Sequence, residues 1–556
     1  MSQICQEIAK FGNLLPSSLG GFLVMMIMGE MLKRNARLFP SKIAFIQDDR
    51  QISFKDFATN VNKLTKSVSS LGIKPSDRVA VLATNCIEYF ELYGLSDLGA
   101  VILVPLNYRL QAEELTYLLN DSGASMLFFV SQYRDIVDQI KGDIPSLKYE
   151  VCIDVKLPKY LYYKDLLDGS SQIGNDDLTK TEGLSESFRE YQVTENDPAY
   201  ILYTSGTTGL PRGVVLTHRG QYQTANALAL DMSIKKEDIT LDMMPLYHTG
   251  GHAVAQAHFY RGCTSVITTG FNPRQALQLV ETYKVTTMQV VPAMLMDMLN
   301  QPDLDVYDQS SLRMIFYASS PMPEALLRRA MDRWGQKFFQ AYGLTENGPV
   351  ATILSQVDHY LDGDERHKQK LKSCGLPSAN CDTRVWKAKK IEVMPGEIGE
   401  IVIKGDQLMK EYWGLPELTA NTIIDGWLYT GDLATVDEEG YIYIVDRKKD
   451  MIISGGENIY PREIEEIIYR HSAVLECAVL GIPDPKWVEA VHAVIVLKQG
   501  TNLTAEDLII YCRNNLTGYK APKSVELVDS LPKNPSGKIL KKDLKAIYWS
   551  ETQTVS

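Results

Sequence analysis

One stretch of the chain gathers the residue types that anion chemistry needs: Tyr203-Thr-Ser-Gly-Thr-Thr-Gly-Leu-Pro-Arg-Gly213. Glycines at 206, 209 and 213 let backbone N–H groups approach an anion closely. Thr204, Ser205, Thr207 and Thr208 add hydroxyl donors without bulk, and Arg212 supplies a charge. These are the parts of a phosphate cradle. The GxxxxGK[ST] spacing is missing, so the loop is not a Walker A motif. A polar turn between strands would account for Gly206-Thr-Thr-Gly209 alone, but poorly for the whole run.

Such a loop needs a rigid frame. An apolar run, Ala199-Tyr-Ile-Leu202, leads into it as a strand. Val79–Leu82, Val101–Val104 and Leu127–Val130 read as buried strands, with a helical pattern at Glu88–Leu98 between the first two. This alternation implies parallel sheets covered on both faces. It resumes at Gln289–Val291 and Met314–Phe316, which predicts a second α/β unit. Between Gly396 and Asp446 strand-like runs (Glu400–Lys404, Tyr441–Val445) are separated by Gly and Asp turns, which predicts a β-rich subdomain. Ile464, Ile467 and Ile468 then mark one face of an acidic helix, Ala478–Leu480 and Ala493–Val496 read as strands, and a helix falls near Asp507–Asn514. The expected fold is α/β: a large N-terminal domain over 1–446, with two α/β subdomains plus the β-rich one, and a small mobile α+β domain over 447–556.

Composition narrows the classes. At 556 residues the chain exceeds one hydrophobic core. Its 45% apolar and 23% charged content is that of a globular protein. With 57 Lys and Arg against 69 Asp and Glu the net charge is −12, which argues against nucleic acid as a partner. The eight cysteines show no CxxC and no metal-ligand spacing, so reduced thiols in a cytoplasmic protein are expected. Gly20–Met28 is apolar but too short to span a membrane, and it continues as one side of a surface helix through Met31 and Leu32. No signal peptide is expected. Peripheral membrane contact and homo-oligomerisation stay open.

The loop at 203–213 resembles the signature of the adenylate-forming superfamily of acyl-CoA synthetases, aryl-CoA ligases, luciferases and peptide-synthetase adenylation domains. The resemblance runs from Met31 to Lys542, through several motifs in the family's order. It implies ATP, Mg²⁺ and coenzyme A as cofactors. The loop residues Thr204, Ser205, Gly206, Thr207, Thr208, Gly209 and Arg212 would hold phosphate. In Pro245-Leu-Tyr-His-Thr-Gly-Gly251 the resemblance sets His248 between the acyl pocket and the reacting phosphate. Ala318-Ser-Ser-Pro321 would flank adenine, with Ser319, Ser320 and Pro321 in contact, although relatives usually carry glycine and alanine at 319 and 320. In Ala341-Tyr-Gly-Leu-Thr-Glu346, Tyr342 would stack on adenine beside Ala341 and Gly343, Thr345 would reach the α-phosphate, and Glu346 would hold Mg²⁺, a cation that takes oxygen ligands. Asp432, in Tyr429-Thr-Gly-Asp432, resembles the ribose carboxylate, which can accept from two hydroxyls. Arg447 lies at the second ribose contact and Lys449 at the domain hinge.

For the second half-reaction the resemblance points to Ser454, Gly455 and Gly456 as a pantetheine passage, with Trp487 and Tyr519 stacking on the CoA nucleotide. Ala521 stands where some aryl-CoA ligases have Arg. Lys538, in Pro535-Ser-Gly-Lys538, matches the adenylation lysine. The catalytic set implied is therefore Lys538, Thr204, Glu346 and His248. The acyl pocket implied is His248, Gly250, Gly251, Val254, Ala318 and Gly343, small and uncharged apart from the histidine. The expected reaction is adenylation of a small-molecule carboxylic acid, a medium- or long-chain fatty acid in preference to a cyclic or aromatic one, followed by transfer to coenzyme A with release of AMP and pyrophosphate. Delivery to a carrier protein is a rival, though no carrier follows Lys545. A luciferase and an inactive nucleotide sensor are the others, and the sensor predicts loss of Glu346, Asp432 or Lys538, all of which are present.

Overall fold

The computed structural model describes residues 26–169, 193–204, 210–319, 322–361, 364–533 and 539–550. Among them, four β-sheets organise the chain. In the first, Arg78–Leu82, Ile102–Pro105, Ala124–Phe129 and Tyr149–Cys152 run parallel. Parallel neighbours need a crossover, which is why helices separate these apolar runs in sequence. Pro198–Thr204 joins Ile102–Pro105 in parallel, and Arg212–Thr217 turns back antiparallel against it. Glu411–Tyr412, from far along the chain, closes that edge on Arg212–Thr217.

The second sheet carries Ile239–Asp242, Thr264–Ile267, Thr287–Val290, Met314–Tyr317 and Phe338–Tyr342 in parallel. Ile43–Gln47 also joins it, pairing with Thr264–Ile267 although it precedes every strand of the first sheet in sequence.

Between the two sheets lies the helix Ile87–Asp97, buried along all 11 of its residues. Both of its sides are occupied: the Tyr93 hydroxyl donates to the Leu246 carbonyl at 2.6 Å, and the Tyr93 ring stacks on His252 with centroids 3.8 Å apart. Glu88, Glu91 and Asp97 are therefore inside the protein. Each has partners, as buried charges require. Glu88 pairs with Arg50 at 2.6 Å, Glu91 accepts from Tyr163 and Asn60, and Asp97 accepts from Tyr200 and Gln256. Burial pushes Glu91 and Asp97 up to about 7.

The third sheet is antiparallel: Cys381–Ala388, Gly399–Gly405, Trp427–Val436 and Ile442–Arg447. The fourth pairs Val474–Asp484 with Val488–Leu497 and adds the hairpin Ile452–Ser454 and Glu457–Ile459. Helices Pro461–Tyr469 and Ala505–Asn515 cover it. Ile464 and Ile468 are fully buried there, whereas Ile467 is only partly covered. Sheet membership changes between Arg447 and Ile452. The apolar run before Met26 lies outside the described residues, but its continuation forms the helix Met28–Leu38 with Met28, Met31 and Leu32 buried.

Candidate active site

A cavity of about 1070 Å³ opens where the carboxyl ends of the first two sheets face each other, the place where open α/β sheets take their ligands. The first sheet contributes Tyr203, Thr204 and Arg212, and the second contributes Gln289, Phe316, Ala318, Ser319 and the run Gly343–Glu346. Tyr429–Gly431 and Arg447–Lys449 form a third wall, and Lys533 and Leu540 of the C-terminal region reach its rim.

The strands on either side of the loop expected to hold phosphate form a paired frame. Thr204 and Arg212 stand opposite each other in the antiparallel ladder, so residues 205–211 connect two strand ends held in register. Ser205, Gly206, Thr207, Thr208 and Gly209 lie outside the described residues, as do Ser320, Pro321 and Lys538.

His248 caps the helix Thr249–Arg261, its Nδ1 accepting the Gly250 N–H at 3.2 Å. An accepting Nδ1 places the proton of the neutral ring on Nε2. The helix N-terminus, a favourable end for an anion, thus borders the cavity at His248, Thr249 and Gly250. Gly250 faces Ser319, whose Oγ would lie 3.5 Å from a Cβ placed there. Gly251 does not line the cavity. It packs on the chain before its own helix, where a Cβ would meet the Pro245 carbonyl oxygen at 2.6 Å, so its small size serves helix packing and not the acyl pocket.

Ser319 has φ +73°, in the left-handed region that a serine enters only at a cost. Glycine would take the same backbone freely, so the serine here carries strain that a glycine would not. Gly343 is required by a close approach: a Cβ would sit 1.8 Å from the Pro349 carbonyl oxygen.

Tyr342 and Asp432 lie just behind the cavity wall, while their neighbours Ala341, Gly343 and Gly431 line it. The Tyr342 hydroxyl donates to Asp432 Oδ2 at 2.6 Å, and Arg447 Nε meets Asp432 Oδ1 at 3.1 Å. Arg447 and Lys449 both reach the cavity, and burial holds Lys449 below the usual lysine value.

Thr345 and Glu346 occupy a short helical turn, Thr345–Asn347, and both line the cavity. Glu346 Oε1 accepts the Tyr412 hydroxyl at 2.9 Å. No cluster of three or more His, Cys, Asp or Glu ligands exists among the described residues. One cavity-facing carboxylate fits a Mg²⁺ ion that shares its coordination with substrate phosphates and water.

The second-step residues are elsewhere. Gly455 and Gly456 form the turn of the hairpin, with φ of +61° and +86°, and Ser454, Gly455, Gly456, Trp487 and Tyr519 do not border the cavity. Gly455 is packed by Trp487, whose Cε3 would lie 2.8 Å from a Cβ there.

Sequence reasoning missed several lining residues. Leu228, Ala253, Phe316 and Val350 form one apolar cluster with Val254, Ala318 and Ala341, and only the tertiary fold brings them together. Gln289 did carry a signal: an amide between Met288 and Val290 in a strand that is buried throughout. Tyr412 carried none.

Residues 32–413 match the AMP-binding enzyme family, and residues 463–538 match the AMP-binding enzyme C-terminal domain. The chain belongs to the AMP-binding enzyme family. It is an AMP-forming acid–thiol ligase that adenylates a carboxylic acid with ATP and transfers the acyl group to coenzyme A. A fatty acid–[acyl-carrier-protein] ligase of Streptomyces coeruleorubidus is 36% identical to it, covering 92% of this chain and 95% of the relative. A feruloyl-CoA synthase of an Amycolatopsis species is 35% identical, covering 93% and 98%. The solved structure of o-succinylbenzoate CoA synthetase from Bacillus subtilis, in complex with the acyl-adenylate intermediate OSB-AMP, superposes with a TM-score of 0.79 at 29% identity, covering 93% of this chain and 97% of that one.

Proposed function

We propose that the acid is a medium- or long-chain fatty acid. The observation that carries this reading is the apolar wall of the cavity, where Leu228, Ala253, Val254, Phe316 and Val350 pack together. A methylene chain gains about 0.8 kcal/mol for each CH₂ buried against that wall. The fatty-acid relative supports the same choice. A cyclic or aromatic acid is the second reading, favoured by the feruloyl relative and by the Tyr247 ring at the cavity wall.

In this reading the carboxylate needs no general base, because it is already ionised at neutral pH. It sits near His248 and the helix N-terminus and attacks the α-phosphorus in line, and the bond from that phosphorus to the bridging oxygen of the β-phosphate breaks, releasing pyrophosphate. Thr204, Arg212, the loop between them, Thr345 and Lys538 hold the phosphoryl oxygens, offsetting the charge that develops as two anions meet. Glu346 would hold Mg²⁺, which would supply positive charge to offset that of the phosphates. Arg447, with Asp432 behind it, takes the ribose, and Ala341, Gly343 and Ser319 flank the adenine, with Tyr342 behind them. The small domain, beginning near Arg447 with Lys449 as hinge, then rotates. That motion withdraws Lys538 and brings the hairpin of Gly455 and Gly456 to the cavity, so that the coenzyme A thiol attacks the acyl carbon and AMP leaves. The position of Lys533 and Leu540 at the cavity rim, with the hairpin away from it, supports assigning this arrangement to the first half-reaction.

AMP release measured over a panel of fatty, cyclic and aromatic acids, with coenzyme A, with a carrier protein, or with neither, tests both acid and acceptor. Faster release with aromatic acids than with fatty acids of any length would overturn the preferred reading. We propose a cytoplasmic location, supported by the free state of Cys374 and Cys381, the pair nearest in sequence. No helix among the described residues is long and apolar enough to cross a membrane.

A further inference from the structure

The segment Met409–Tyr412 grips Glu346 at two points. The Met409 N–H donates to the Glu346 carbonyl at 2.8 Å, and the Tyr412 hydroxyl donates to Glu346 Oε1 at 2.9 Å. Tyr412 is itself fixed. It is 5% exposed, and its backbone pairs with Val214 in the strand that leaves the phosphate loop. Its N–H donates to Thr419 Oγ1 at 3.0 Å, and the Trp413 N–H bonds the Gly213 carbonyl at 2.7 Å. The Arg212 guanidinium lies 5.9 Å from the centre of its ring. A carboxylate on a flexible side chain loses rotamer freedom when it binds a cation, and a donor that fixes one oxygen in advance removes part of that loss.

We propose that Tyr412 is a positioning residue for metal-bound ATP: its hydroxyl holds Glu346 Oε1 so that the carboxylate is already aimed at the cation. Its place on the strand paired with Arg212–Thr217 ties that carboxylate to the exit of the phosphate loop. The inference rests on the reading of Glu346 as the Mg²⁺ ligand. A phenylalanine at 412 keeps the ring, its packing and its contact with Arg212, and removes only the donor.

The test uses full-length enzyme, α,β-methylene-ATP as an unreactive nucleotide, and Mn²⁺ as a paramagnetic probe of the cation site. Electron paramagnetic resonance gives the Mn²⁺ affinity of the enzyme–nucleotide complex. Calorimetry in EDTA gives the affinity for the metal-free nucleotide. Tyr412→Phe is expected to weaken Mn²⁺ binding about tenfold while the metal-free affinity and the KM for the acid stay within twofold. Glu346→Gln is expected to weaken Mn²⁺ more, and Tyr412→Phe added to it should change nothing further. If Glu346→Gln leaves Mn²⁺ binding intact, the reading of Glu346 fails and the inference with it. If Glu346→Gln weakens binding but Tyr412→Phe does not, the role of Tyr412 alone is overturned. An equal loss of metal-free nucleotide affinity in Tyr412→Phe would also overturn it, because that is the mark of a general packing defect.

Discussion

The Tyr342 hydroxyl donates to Asp432 Oδ2 across 2.6 Å, joining the last parallel strand of the second sheet to the third sheet. Asp432 is 4% exposed, and its other oxygen faces Arg447. The bond therefore orients a nearly buried carboxylate, a charge-assisted contact worth about 1.5–3 kcal/mol. Tyr342→Phe retains the ring and removes the bond. Steady-state kinetics are expected to show a KM for ATP raised about tenfold, with the KM for the acid unchanged. Equal changes in both constants would contradict a role confined to the nucleotide.

Lys538 belongs to the first half-reaction in the proposed mechanism. Lys538→Ala should reduce adenylation, followed by pyrophosphate exchange, by at least about a thousandfold, the scale of losing a group that stabilises developing charge. Thioester formation from supplied acyl-AMP should stay within about threefold of the wild type. Comparable loss in both half-reactions would defeat the division of labour between the lysine and the hairpin.

Ser319, at φ +73°, carries strain of about 1 kcal/mol. Ser319→Gly removes it but adds unfolded-state entropy, so its melting temperature should equal or slightly exceed that of the wild type. Ser319→Val, β-branched at a positive φ, should lose about 1–2 kcal/mol. A valine variant as stable as the parent would show that this backbone is not constrained in solution.

Asp97 gives the fold a pH dependence with a definite sign. Its pKa is raised from 3.8 to about 7, with desolvation as the main cause and the bonds from Tyr200 and Gln256 opposing it. The folded state therefore binds a proton that the unfolded state has released between about pH 4 and 7. Stability falls as pH rises through that window and levels off above it. Asp97→Asn stays neutral throughout, so its melting temperature should drop less between pH 5.5 and 8 than that of the wild type. The ceiling on this difference is about 2 kcal/mol, because only the span from pH 5.5 to a folded-state pKa of about 7 contributes, at about 1.36 kcal/mol per pH unit. Glu91 and Asp242, also raised to about 7, should supply a residual slope. Parallel pH profiles for variant and wild type would remove Asp97 from the explanation.

The alternation of apolar runs and helices gave the two parallel sheets, because a strand buried on both faces must be continuously apolar. Val79–Leu82 and Met314–Tyr317 are buried throughout, and their neighbours run parallel. Less legible was the helix Ile87–Asp97. Its Glu88, Glu91 and Asp97 are charged, yet partners from five other segments enclose them. The strand Ile43–Gln47 gave no hint that it would pair with Thr264–Ile267, since register between distant strands is settled by packing and not by local pattern.

The sequence by itself determined the family, and it named the residues proposed for the chemistry: a glycine and hydroxyl loop, and carboxylates for a cation and a ribose. Those motifs are local, written in residues whose backbone freedom or donor groups no other residue type replaces. Only the tertiary structure decided that Gly251 packs against Pro245 and not against a substrate, that Ser319 sits in a strained conformation, and that Tyr412 reaches Glu346 from 66 positions away. The first two are set by backbone conformations that the residue types do not announce, and the third joins segments that meet only once folding has brought them together.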